Sequence, residues 1–198
     1  MPARSRQASL FEPGQIPVEG FAHQDDVISP AEEERLVTWF AGLPFREFEF
    51  GVYRGKRRIV SFGWKYDYTA QRLHKADDIP APLLPIREHA AQFAGIAAET
   101  LQQALVTEYR PGAGIGWHKD KRQFGDVIGL SLLSPCVFRL RRRVAAGFER
   151  AAIVAEPRSA YLLRGPSRQQ WEHSIPPLES LRYSITFRSF APGRTPSA

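Results

Sequence analysis

Cysteine is nearly absent from this chain of 198 residues: the single thiol, Cys136, allows no internal disulfide and no cysteine-rich zinc site. Stability must therefore come from packing, and any metal must sit on histidines and carboxylates. Long hydrophobic runs are missing too. No apolar stretch approaches the roughly 18 residues of a membrane span, and the N-terminal MPARSRQASLFEPG lacks the apolar segment of a secretory signal. The expectation is a cytoplasmic protein with no membrane partner. Internal repeats and low-complexity tracts are also lacking, and the composition excludes intrinsic disorder and collagen-like or coiled-coil classes. Acidic residues are the scarcer charge, 21 against 27 lysines and arginines, for a formal net charge of +6. That balance points to a polyanionic partner, nucleic acid first. With 43% hydrophobic and 12% aromatic residues the chain has what it needs to fold.

The length suits one domain, expected over residues 16–191, with flexible tails at 1–15 and 192–198 and a monomeric state. Ser29-Pro30-Ala31-Glu32 unites an N-cap serine, a proline at the first helical position and a glutamate at the third. An apolar stripe of Leu36, Trp39 and Phe40 follows, so a first helix is predicted to end near Gly42. Between Phe45 and Tyr68 the pattern alternates, with Phe48 and Phe50 before Arg54-Gly55 and Ile59 after it. A hairpin with a basic tip of Arg54, Lys56, Arg57 and Arg58 is expected. Pro80 to Pro85 leads into a second helix with Ile86, Ala90 and Phe93 on one face and Gly95 as its stop. From Leu105 onward short apolar runs succeed one another: 105–109, 127–133, 136–140, 151–155, 160–163 and 183–187. Helices followed by many short strands predict an α+β protein built around a β-sandwich or barrel.

The chemistry centres on His118-Lys119-Asp120, which follows the glycine-rich turn Pro111 to Gly116. On extended backbone, positions i and i+2 face the same side, so an imidazole and a carboxylate converge. Of the five histidines only His173 lies in a late strand-like stretch. Two histidines and one carboxylate with three adjacent positions open form the facial triad of non-haem Fe(II) oxygenases. H-x-D alone is common by chance, and a surface His beside an Asp is the plainer reading. Nine residues after His173 comes Arg182-Tyr183-Ser184-Ile185-Thr186-Phe187-Arg188. A strand here puts Arg182, Ser184, Thr186 and Arg188 on one face and Tyr183, Ile185 and Phe187 on the other. Arginine on an inner face clamps a dicarboxylate through a planar fork; turned over, the same strand leaves arginine in solvent.

Three ordered elements, TEYRPGAGIGWHKD (107–120), GPSRQQWEH (165–173) and RYSITFR (182–188), resemble the AlkB family of Fe(II)/2-oxoglutarate dioxygenases. The resemblance runs from about Phe21 to Phe190. It implies a double-stranded β-helix, or jelly roll, with N-terminal helices and a nucleotide-recognition lid at about 45–70. It further implies Fe(II) held by His118, Asp120 and His173, and 2-oxoglutarate held at its far carboxylate by Tyr109 and Arg182. Arg188 matches the second family arginine near the metal-chelating end. Thr107 stands where some members carry an asparagine that also touches the cosubstrate. The implied activity consumes O2 and 2-oxoglutarate, gives succinate, and hydroxylates an N-methyl group that then leaves as formaldehyde, in alkylation repair of DNA or RNA.

Substrate contacts follow less directly. Arg122 occupies the position, two beyond the matched aspartate, where base-repairing members often carry an acidic residue. Arg58 to Tyr68 (RIVSFGWKYDY) sits where the family has its lid, so Arg58, Arg122, Trp64 and Tyr66 are candidate contacts to nucleic acid, with Trp64, Tyr66 and Tyr68 suited to stack an extruded base. The same rings could instead pack a hairpin onto the helices. Arg139, Arg141, Arg142 and Arg143 read either as a solvated strand end or as part of a phosphate track. Two other functions fit the sequence: an AlkB-like oxygenase of tRNA or protein, and a non-catalytic basic β-sandwich that binds nucleic acid.

Overall fold

The computed structural model describes residues 18–50, 53–67 and 72–194. The tail expected at 1–15 and the position of Tyr68 lie outside the described residues, as do residues 195–198. Residues 192–194 close a turn in which the Arg194 N–H donates to the Ala191 carbonyl at 3.0 Å.

Helix α1 spans Pro30–Phe40, and the cap written in its sequence forms completely: the Ser29 hydroxyl accepts the Glu32 N–H, and the Glu32 carboxylate accepts the Ser29 N–H at 2.8 Å. Helix α2 spans Leu84–Ala94 and stops at Gly95, whose φ of 64° is the left-handed conformation that favours glycine. No helix among the described residues is long and apolar enough to cross a membrane.

The strands do not all follow the helices. Strand β1 (Phe21–Gln24) precedes α1, and β2 (Arg46–Phe50), β3 (Tyr53–Phe62), β4 (Trp64–Asp67) and β5 (Arg72–Lys75) fall between α1 and α2. Strands β2 and β3 form the hairpin that the alternation between Phe45 and Tyr68 predicts, whereas β1 and β5 are four-residue segments without such a pattern. The register pairs Phe50 with Tyr53 and Phe48 with Gly55. The chain therefore reverses before Tyr53, and Arg54 to Arg58 lie within β3 rather than at a basic tip.

The remaining strands are β6 (Leu101–Tyr109), β7 (Ile115–His118), β8 (Phe124–Leu132), β9 (Cys136–Val144), β10 (Gly147–Ala155), β11 (Ala160–Leu163), β12 (Glu172–Ile175) and β13 (Arg182–Phe190), with a one-turn helix α3 (Pro166–Gln169) before β12. They are divided between two antiparallel sheets, the chain changing sheet at every connection except the β9–β10 hairpin. The larger has the order β1-β11-β8-β13-β6-β3-β2, the smaller β10-β9-β12-β7, and β4 pairs with β5 alone. Eight strands shared four and four between facing sheets by such crossovers make a jelly roll.

Two cores result. One lies between the larger sheet and the helices and includes Leu36, Phe40, Ile86, Ala90, Val106, Leu130, Ile185 and Phe187. The other lies between the sheets and includes Tyr109, Phe138, Leu140, Tyr161, Trp171 and Ile175. Gly129 is required here by close approach: a Cβ would stand 2.2 Å from the ring of Tyr161. Gly114, in the glycine-rich turn, lies so close to the chain at Ile175 that a Cβ would meet its carbonyl oxygen at 2.7 Å. Those glycines serve packing, and no dinucleotide-binding unit surrounds them.

Candidate active site

Strands β7 and β12 are neighbours in the smaller sheet, and their register pairs His118 with His173. The two imidazole centroids are 4.2 Å apart. Just beyond β7, Asp120 turns back so that its Oδ2 lies 3.7 Å from His173 Nε2. Among the described residues no three His, Cys, Asp or Glu side chains stand in finished metal-ligating geometry, so His118, Asp120 and His173 converge without closing on one point. Their donor chemistry nevertheless fits a dication. Asp120 Oδ2 is buried with no hydrogen-bond partner. Burial and the neighbouring His118 push the His173 imidazole down to about 3, leaving a neutral ring with a lone pair. The His118 Nδ1 stands 2.9 Å from the Gly116 carbonyl; a carbonyl only accepts, so Nδ1 carries the proton and Nε2 is left as a ligand.

Arg188 holds the carboxylate in place. Its Nε donates to Asp120 Oδ1 at 2.9 Å, its Nη2 lies 2.8 Å from the same oxygen, and its Nη1 donates to Gln103 Oε1 at 2.9 Å. Burial, the largest single influence, would raise the Asp120 carboxyl, but Arg188 together with His173, His118 and Arg168 outweighs it and holds the group well below the usual carboxylate range. Phe138 stacks on the ring of His173 with centroids 5.3 Å apart, and Tyr161 stacks on Phe138 at 4.2 Å. The metal-ligand candidates thus lean on an aromatic wall.

Arg182 is fully buried, at 0% exposure, so β13 turns its arginines inward rather than to solvent. Its register partner is Tyr109, and its guanidinium lies over the Tyr109 ring at 5.1 Å. Nε donates to Ser131 Oγ at 3.1 Å, while both terminal nitrogens lack a partner. A buried guanidinium with two idle donors is costly alone and suits an anion that brings two oxygens.

His118, Asp120, His173, Arg188, Phe138 and Tyr161 line a cavity of about 1190 Å³, and Arg182 lies outside that lining, behind Tyr109. Thr107, Tyr109, Thr186 and Arg188 line it beside His118, Asp120 and His173. Its outer lining includes Arg46, Arg57, Lys65, Tyr66, Lys119 and Lys121, set against Glu47, Asp67 and Asp77. Tyr66 lies in this lining, with the Lys121 ammonium 5.0 Å from its ring centre. Trp64 does not: it meets Phe190 edge-on at 5.6 Å, carries Lys75 on its face, and its carbonyl accepts the Gln103 amide. Arg58 points to the other side of β3, in a two-pronged ion pair with Glu108 at 2.7 and 2.8 Å. Alternation along β3 instead aims Arg57 at the cavity. Arg122 sits exposed in the turn before β8, outside the lining.

Sequence reasoning passed over several groups. Arg168 is buried and donates to the carbonyls of Lys121 and Phe124, which ties α3 to the loop carrying Asp120. Ser131, Gln103, Phe138 and Tyr161 also support the site. Their only sequence signal is alternation, which marks a side chain as inward without saying what it meets.

Residues 44–188 match the model of the 2OG-Fe(II) oxygenase superfamily. The chain is 29% identical over 175 residues to an alkylated DNA repair protein ALKBH8 homologue of Arabidopsis thaliana, covering 76% of this chain and 49% of that protein. It thus spans about half of that relative's length. The OsALKBH1 structure superposes with a TM-score of 0.65 at 16% identity, covering 88% of this chain and all of that one. A prolyl hydroxylase from Trichoplax adhaerens, solved with a hypoxia-inducible-factor peptide, gives 0.61 at 14% identity, covering 86% of this chain and 83% of that one. At such identities the two structures speak for the fold alone.

Proposed function

This chain belongs to the 2OG-Fe(II) oxygenase superfamily and is AlkB-like within it, and on that premise we propose that it oxidatively demethylates N-alkylated bases in DNA or RNA. Membership implies an enzyme that uses Fe(II), 2-oxoglutarate and O2, which sets aside a non-catalytic basic β-sandwich that binds nucleic acid. In this reading His118, Asp120 and His173 hold the iron, whose chemistry with 2-oxoglutarate and O2 is the oxidation of an N-methyl group that leaves as formaldehyde. Tyr109 and Arg182 would hold the far carboxylate of 2-oxoglutarate, for which the two partnerless guanidinium nitrogens of Arg182 are suited. Arg188 keeps Asp120 ionised and fixed. Gly116 holds the His118 tautomer, and Phe138 and Tyr161 exclude water from one side of the centre.

The observation that carries the nucleic-acid substrate is the cavity mouth. Arg57, Lys65, Lys119 and Lys121 surround the entrance, and Tyr66 offers an aromatic face there. Cations suit the phosphates that flank an extruded nucleotide, and a ring suits its base. The test is succinate and formaldehyde release over a panel of oligonucleotides carrying N-methylated bases, DNA and RNA, with methylated tRNA and peptides alongside. Stimulated turnover by a methylated oligonucleotide is expected; turnover with peptides alone would overturn the reading.

A further inference from the structure

The outer face of the smaller sheet, turned away from the cavity, carries an alternation of guanidinium groups and rings that the chemistry above does not use. Arg141 lies between two aromatics, 4.4 Å from the centre of Trp117 and 4.5 Å from that of Phe148. Arg139 covers Trp117 from 5.1 Å, and Arg150 lies 5.7 Å from the centre of Phe148. Arg139, Arg141 and Arg143 alternate along β9, so they share one face at spacings of about 6.8 Å. Register places Arg150 beside Arg141 on the neighbouring strand. Among the described residues one carboxylate joins them: Glu172 accepts from Arg141 Nε at 2.6 Å. Glu149 pairs instead with Arg142, on the opposite side of β9.

We propose that this face is a docking track for single-stranded nucleic acid, holding the part of the substrate that lies outside the cavity. The proposal rests on the nucleic-acid reading above and extends it to the flanking strand. Charge favours such a partner, since four arginines face one carboxylate. The form of the patch also favours it. Arg139 Nε donates to Ser174 Oγ at 3.1 Å and Arg150 Nη1 to the Phe148 carbonyl at 3.3 Å. Each uses one donor of a five-donor fork, and a guanidinium stacked on a ring keeps the rest of its N–H edge in plane to meet phosphate oxygens, with low hydration that makes desolvation cheap. Trp117 and Phe148 are half-buried beneath the arginines, whereas a bilayer surface calls for apolar side chains that protrude. The track is continuous with the site, because Trp117, which carries Arg139 and Arg141, also lines the cavity beside Lys119.

The test compares wild type with an Arg139→Gln, Arg143→Gln, Arg150→Gln variant, leaving the Trp117–Arg141–Phe148 stack intact. Binding of a methylated trinucleotide and of a 20-residue single strand is measured across salt concentrations, with melting temperature as the fold control. Wild type is expected to bind the long strand more tightly than the short one. The variant should lose most of that difference, roughly tenfold or more at low salt, and the slope of log K against log salt should fall by about 2, since each lost phosphate contact on a single strand removes about 0.7. The trinucleotide, which reaches only the cavity, should bind both proteins alike. Equal long-strand affinity and salt slope in both would overturn the track while leaving the demethylase reading in place. If neither oligonucleotide binds wild type, both ideas fall. Anionic phosphatidylserine vesicles captured through the same arginines, with no strand bound, would assign the face to a membrane and overturn the track.

Discussion

On β13 the side chains of Tyr183, Ile185 and Phe187 enter the helix-covered core, whereas the alternate residues lie on the other face, where Thr186 and Arg188 line the cavity and Arg182 is buried against Tyr109 and Ser131. The two faces share one backbone and one set of ladder hydrogen bonds, yet they are held together in different ways. On the helix side many apolar contacts share the load, and no single one specifies the arrangement. On the cavity side a few directional pairs do the work, and some are unfinished: Arg182 has two idle nitrogens and Asp120 an unpartnered oxygen. Stability accumulates on one face while binding capacity is held open on the other.

Substitutions on either face should separate those roles. The largest effect is expected from His118→Ala or Asp120→Ala, which should abolish iron-dependent 2-oxoglutarate decarboxylation while the melting temperature stays close to that of wild type; near-normal turnover would remove the trio from the chemistry. Phe187→Ala, on the opposite face, should cost about 3 to 5 kcal/mol in denaturant unfolding, with the 2-oxoglutarate affinity of the folded fraction unchanged. A loss of cosubstrate binding larger than the loss of stability would blur the division between the faces.

Arg182→Met sharpens it further. Without cosubstrate the variant should be as stable as wild type or more so, because it replaces a buried and partly unpaired charge by an apolar side chain. Calorimetry should nevertheless show 2-oxoglutarate binding weakened by about 2 kcal/mol or more. If Arg182→Met unfolds instead, the arginine is structural. At the mouth, Tyr66→Ala should weaken oligonucleotide binding by about 1 to 3 kcal/mol with little change in melting temperature. Trp64→Ala, by its contact with Phe190, should do the reverse.

The smallest effect concerns α1. Hydrogen bonds from the Ser29 backbone and hydroxyl, aided by His89, lower the Glu32 carboxyl to about 2. A group whose folded value is depressed stabilises above its unfolded value, here 4.5, and loses that contribution as pH falls toward 2. Glu32→Gln should therefore be less stable than wild type at pH 7, by about 1 kcal/mol as for other lost helix caps. The gap should close between pH 4.5 and 2 when unfolding is measured at both ends.

How much of this was legible in the sequence varies by element. The start of α1 was fully written in Ser29, Pro30 and Glu32, because a helix cap is closed by residues three apart. The stop of α2 at Gly95, the apolar runs that became β6, β8 and β9 and the alternation of β13 were legible for the same reason: each is a local pattern or a local backbone need. The sequence also supplied the ordered elements whose resemblance implied the jelly roll and the roles of His118, Asp120 and His173.

Alternation, however, cannot say which face of a strand is the inner one. Arg182 could as well have met solvent until the helices covered Tyr183, Ile185 and Phe187 and forced the other face toward the smaller sheet. Likewise a one-residue difference in aim sent Arg58 to Glu108 and Arg57 to the cavity, and the pairing of Phe50 with Tyr53 moved the reversal of the hairpin ahead of its basic run. Gln103 beneath Arg188, Ser131 beneath Arg182 and Arg168 on the Asp120 loop join residues 47 to 85 positions apart. Local sequence thus determined which segments became helices and strands and which side chains could share a face. Only the tertiary structure decided which face was buried and what each buried polar group met there, because those partners come from strands that no local pattern connects.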